Sequence, residues 1–212
     1  MRRVPALLAT SALALGAITA AVPSASAQRA AGEDPLAALL TSDGDQFDNN
    51  AKDFDILTEA ALAVVGAKPG SPVALVADGT KRATVFAPTD QAFRLLAKDL
   101  TGKTIKSEKK IFEALVELAG VDTIETVLLY HVVPGATLTS GKVLKADGAK
   151  LKTATGQTVK VNVRMKPSLR VTLKDKDRDD RDPRAVLTAL DLNKGNKQVA
   201  HGIDRVLRPI NL

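Results

Sequence analysis

The chain has 212 residues, 45% of them hydrophobic, with 30 basic and 24 acidic side chains, no cysteine, five Phe, one Tyr and no Trp. That length admits one domain whose core can stand without disulfides, and the missing cysteine excludes thiol catalysis, Cys-based zinc sites and a lipid-bearing N-terminal Cys. A net charge of +6 with so few aromatics argues against a nucleic-acid binder, which concentrates charge and interleaves stacking side chains.

Arg2 and Arg3, the apolar run over residues 6–22 and the A-x-A pattern Ala25-Ser26-Ala27 predict a signal peptide over residues 1–27, cut after Ala27. The run is short, rich in Ala and Thr and without a stop-transfer flank, so no retained membrane span is expected. The remaining chain carries 28 basic against 24 acidic side chains. Residues 28–46, rich in Ala, Asp and Gly, read as a mobile leader with a short helix through Leu36, Ala37, Leu39 and Leu40. A single domain is expected over 47–212.

Phe54, Leu57, Ala61, Leu62 and Val65 recur at helical spacing, with Asp53 or Asp55 available as a cap and Gly66 near the stop. A weak helix or strand over 73–77 and an Asp78-Gly79 turn follow. Residues 84–87 favour a strand, Pro88 removes a ladder donor, and Thr89 is placed to cap a helix opening with Asp90, where the dipole favours negative charge. Phe93, Leu96 and Leu100 then form an apolar stripe. Ser107 caps a helix carrying Ile111, Leu115 and Leu118 that ends at Gly120, and Asp122 with Glu125 predicts a capping box for another running to Tyr130. Beyond Pro134-Gly135 the period becomes alternating. Strands are predicted over 150–153, 158–163, 169–173, 186–192, 198–203 and 205–207. Helices early and strands late define an α+β class.

Candidate chemistry is sparse. His131 and His201 are the only histidines. They read either as a metal pair or acid–base couple, with Asp204 as orienter, or as buried imidazoles satisfied by hydrogen bonds. No third histidine is present and their spacing fits no zinc pattern, so no metal is expected. No G-x-S-x-G elbow occurs. In the segment 174–184, Asp175, Asp177 and Asp179 match the first calcium-loop positions, but Asp180 stands where Gly is needed and Val186 where the closing Glu belongs, so a solvated loop is expected. Lys160, Asn162, Arg164 and Lys166 share one strand face, continued by Arg170 and Lys174. That face is either a solubilising surface or an electrostatic dock for extracellular polyanions.

Three segments, 84–93 (TVFAPTDQAF), 128–135 (LLYHVVPG) and 201–209 (HGIDRVLRP), resemble in order the signature segments of the fasciclin domain family. The resemblance implies a wedge or sandwich of β-strands with helices clustered at one end. It also implies adhesion or protein recognition outside the membrane, without a cofactor. The family's adhesive positions match Tyr130-His131 and Asp191-Leu192, the latter with Leu in place of Ile. Thr84, Phe86, Pro88, Thr89, Asp90, Phe93, His201 and Asp204 are expected as structural motif residues. The expectation is a secreted, monomeric, non-catalytic module recognising an extracellular protein or a matrix or cell-wall polymer, with no nucleic acid and no stable membrane insertion. The alternatives are a polyanion binder using Lys160, Arg164, Lys166 and Arg170, and an enzyme using His131 and His201.

Overall fold

The structure, a computed structural model, describes residues 30–42, 44, 47, 48 and 50–210. The predicted signal peptide lies outside the described residues. The elements in order are α1 (Leu36–Leu40), α2 (Asp55–Ala67), a 3₁₀ turn (Pro72–Ala77), β1 (Ala83–Pro88), α3 (Asp90–Thr101), α4 (Glu108–Tyr130), β2 (Val132–Pro134) and α5 (Ser140–Leu144). Then come β3 (Lys150–Lys152), β4 (Thr158–Arg164), β5 (Arg170–Lys174), a 3₁₀ turn (Leu187–Ala189) and β6 (Gln198–Ile203). The α+β expectation holds. The helix break expected at Gly120 is present inside α4, where Gly120 takes φ 69° and ψ 165°. Ser107 caps α4 as expected, accepting from Lys110 N–H at 3.5 Å.

Two three-stranded sheets form, in the orders β2-β1-β6 and β3-β4-β5. β1 and β6 run parallel, with Phe86 opposite His201 and Pro88 opposite Ile203, so the first and last signature segments lie side by side. Every residue of both strands is buried. Alternation then divides the interior. Ala83, Val85, Ala87 and Ala200 face the helices with Ile56, Phe93, Leu96, Ile111 and Leu115. Phe86 and Ile203 join Tyr130, Val133, Val159, Val161, Val171 and Leu173 against the second sheet.

Four expectations are corrected. Residues 186–192 are not a strand: the 3₁₀ turn interrupts them, Asp191 adopts φ 55°, and single bridges join Ala185 to Ile203 and Leu192 to Ala200. Residues 205–207 are not a strand either, because Leu207 N–H donates to His131 Nε2 at 2.8 Å instead of to a backbone neighbour. Asp122 and Glu125 do not act as a capping box; both carboxylates engage Lys68, and Glu125 also accepts from Ser71 Oγ at 2.5 Å. The described part of the expected leader is docked. Leu36 is fully buried, its N–H donates to Gln198 Oε1 at 2.8 Å, and Gln198 Nε2 donates to Leu75 O and Asp78 O. The fold therefore uses residues ahead of the expected boundary at Phe47. A buried glutamine with both ends bonded is costly to leave half satisfied, which fixes this strap in one position.

Gly202 marks a close approach of the backbone to neighbouring side chains. A Cβ there would lie 2.7 Å from Ala189 Cβ and 3.6 Å from the Phe54 ring, so the Gly of the 201–209 segment is required by space.

Candidate functional site

The residues expected to contact a partner converge, but inward. Tyr130 is fully buried and His131 is 1% exposed. The Tyr130 hydroxyl donates to Thr158 O at 3.3 Å, and burial pushes its pKa above the ordinary value. His131 Nε2 accepts from Leu207 N–H, so its proton sits on Nδ1, which donates to Val127 O at 2.7 Å. Burial drives the His131 pKa down to about 4. The imidazole is a neutral clasp between the end of α4 and the C-terminal segment. The expected contact role of the Tyr130 and His131 side chains is therefore corrected: neither reaches the surface.

His201 makes the matching clasp on the other side. It is 1% exposed, lies 6.1 Å from the Phe86 ring, accepts from Asp191 N–H at 3.2 Å through Nδ1, and donates through Nε2 to Leu138 O at 2.7 Å. Burial lowers its pKa. Asp191 is half-buried and caps α5 from a distant loop, with Oδ1 accepting from Ser140 N–H at 2.6 Å and Oδ2 from Ser140 Oγ at 2.7 Å. Those bonds, with Lys194 beside it at 3.2 Å, hold its pKa below the ordinary range despite partial burial. Leu192, also half-buried, packs on the helix-side core. Asp204 does not orient His201. Its Oδ1 accepts from Arg184 N–H at 2.7 Å and its Oδ2 from Arg181 at 2.6 Å.

Of the other motif residues, Phe86, Pro88 and Phe93 are buried as expected. Thr84 Oγ1 donates to Ala136 O and accepts from Leu138 N–H, both at 2.8 Å. Thr89 occupies the N-cap position of α3, yet its side chain makes no cap bond. Asp90 does more than meet a dipole: it is fully buried and its Oδ1 accepts from Ile56 N–H at 3.0 Å, capping α2 instead. Asp55, Asp90 and Glu108 open α2, α3 and α4, so three positive helix ends meet here.

Asp53, Asp90 and Glu108 bring carboxylate oxygens within 4.8 Å of one another. Arg94 pairs with Glu108 at 2.8 Å. Asp90 Oδ2 and Asp53 Oδ1 are buried and accept no protein N–H or O–H. Burial and the neighbouring Asp53 raise the Asp90 pKa to about 8, and burial raises Asp53 as well. An oxygen-only donor set suits a hard cation. Three helix N-termini already supply positive charge, however, and Arg94 neutralises Glu108. Burial is the larger cause of both shifts; a hydrogen bond from a protonated Asp90 to Asp53 raises the Asp90 pKa further and lowers that of Asp53.

The Asp-rich segment is corrected from solvated loop to clamp. Arg208 reaches Asp177 at 2.9 Å, Asp99 at 2.6 Å and Asp180 at 3.4 Å, while Arg205 reaches Asp180 at 2.7 Å. Asp175 accepts from Arg208 N–H at 2.8 Å, and burial raises its pKa to about 6. Sequence alone shows alternating signs and nothing of this; the arginines lie far along the chain.

Two surface features remain. A groove of about 670 Å³ between α3 and the broken α4 is lined by Leu96, Leu100, Phe112, Leu118 and Ile210, and by neither histidine. The solvent face of β3-β4-β5 is basic. Lys160 stands opposite Lys150 on one side and Lys174 on the other, and Arg164 opposite Arg170.

The architecture is that of an α+β domain whose signature tyrosine and histidines are interior. A family model for the fasciclin domain matches residues 71–209, a span containing all three signature segments, and the chain belongs to this family. No curated protein matches the chain. A solved structure, a FAS1 domain pair from the insect cell adhesion molecule Fasciclin I, shares the fold at a TM-score of 0.50 and 14% identity, over 77% of this chain and 51% of that one. The chain thus spans about half the length of that structure.

Proposed function

We propose that the protein is a non-catalytic binding or adhesion module acting outside the cell, exported by the signal peptide over residues 1–27 and working as a monomer. The observation that carries the reading is the fate of the signature side chains. A fasciclin domain that spends its two histidines and its tyrosine on interior clasps has no exposed acid–base pair among them, which leaves its outer faces for recognition. The insect cell adhesion molecule with the same fold supports it by analogy of fold alone. Contacts with an extracellular protein or a matrix or wall polymer fall on those outer faces, not on Tyr130 or His131.

The test is direct binding of the exported protein to cell-wall and matrix fractions, with N-terminal sequencing of the exported chain. Saturable retention, unchanged in Tyr130→Phe, and a start at Gln28 are expected. Unsaturable or absent retention refutes the module, and a chain that stays inside the cell refutes the export.

A further inference from the structure

We propose that the outer face of the β3-β4-β5 sheet is a binding site for a linear anionic polysaccharide. The assignment rests on the module reading above and names its partner class. Pairing register places Lys150, Lys160 and Lys174 in one row across all three strands, with Arg164 opposite Arg170 in a second row and Lys152 opposite Thr158. Lys150, Lys152, Lys160, Arg164 and Lys174 are exposed and Arg170 is half-exposed. None of the six makes an ion pair with a described carboxylate, since the ion pairs among the described residues lie at the Lys68, Arg94, Arg181, Lys194, Lys197 and Arg205–Arg208 sites. The acid at the sheet margin, Asp147, spends one oxygen on Val163 N–H at 2.8 Å.

Like charges directly opposite one another destabilise a sheet, so solubility alone would be served better by mixed signs. Strands lie about 4.8 Å apart and same-face residues about 6.8 Å apart along a strand, which turns the rows into a grid of cations at the spacing of charges on a flexible polyanion. Between the cations stand Thr158, Asn162 and Thr172, whose side chains suit sugar hydroxyls. The face carries no aromatic ring, as stacking on single-stranded nucleic acid would need, and no apolar side chain, as seating in a membrane surface would need.

The test uses the exported protein with heparin as the probe, uncharged dextran as blank, and vesicles of anionic phospholipid and single-stranded DNA as competing arms. Heparin binding is expected to be saturable at 0.15 M salt and to fall about tenfold in Lys150→Ala/Lys160→Ala/Lys174→Ala. The charge-matched control Lys103→Ala/Lys106→Ala/Lys109→Ala, on the α3–α4 side, is expected to bind as wild type. Equal losses in both triple variants, or tighter binding to vesicles or DNA than to heparin, overturns the assignment. Retention on matrix fractions that survives the sheet triple variant overturns the polysaccharide face while leaving the module reading standing.

Discussion

Asp90→Asn isolates the shared proton between Asp53 and Asp90. The amide keeps an acceptor for Ile56 N–H and supplies a permanent donor to Asp53. In the wild type a carboxyl with a pKa moved from 3.8 to about 8 binds a proton in the folded state that the unfolded chain has released. The sign follows. Stability tied to that proton is complete below pH 3.8 and is lost as the pH climbs through 8, with a slope of about 1.4 kcal/mol per pH unit inside the window. Between pH 5 and 7 the wild type therefore loses at most about 3 kcal/mol relative to Asp90→Asn. In a domain of this size that is about 6–12 °C in Tm. Urea unfolding of both proteins at pH 5, 6 and 7, in constant salt, measures it. Comparison at each pH cancels His131, which shifts the other way. A stability difference that stays flat with pH, or moves against the variant as pH rises, refutes the shared proton. Asp90→Ala, which removes the cap on α2, should lie about 1–3 kcal/mol below Asp90→Asn at every pH.

Gly202→Ala should lose about 1–3 kcal/mol by chemical denaturation, since the new methyl meets Ala189 at 2.7 Å; an unchanged midpoint would mean the 3₁₀ turn yields freely. His131→Leu should lose about 2–4 kcal/mol at pH 7 by stranding Leu207 N–H. With a folded pKa of about 4, the wild-type histidine contributes stability above pH 6.5 that is lost as pH falls toward 4, so the penalty of the leucine variant should shrink on acidification; a constant penalty contradicts the neutral clasp. Arg208→Met should lose about 3–5 kcal/mol by leaving Asp99 and buried Asp177 uncompensated, and Arg208→Lys should recover little of it because one ammonium cannot span both. Thermal melts check both, and a near-wild-type Met variant would show the clamp to be idle.

The helices and the central strands were legible because their signals are local. The 84–93 segment writes a strand, a proline stop and a helix start, and β1 and α3 stand there. Alternation from Lys160 to Arg164 likewise marked the basic face correctly. What escaped is what depends on distant partners. Asp90 reads locally as a dipole residue, but its partner is the N-terminus of another helix. Gln198 reads as an ordinary strand polar and proves to be the buried anchor of a strap more than a hundred residues upstream. Asp191 carries no mark of capping Ser140, and the 186–192 run failed as a strand because left-handed residues and a turn interrupt an apolar pattern that suits either state.

The parallel union of β1 with β6 makes folding a closing act. Its two strands come from opposite ends of the domain, and nothing between them can complete the buried sheet. Such a high contact order predicts slow, late folding, in milliseconds to seconds. A nascent chain that has not yet released residues 198–203 lacks the inner partner of β1, the bonding partner of the strap at Leu36 and the imidazole of His201 together. The polypeptide therefore cannot complete its buried central sheet until its last strand is available, and every shorter chain leaves the β1 edge unpaired on that side.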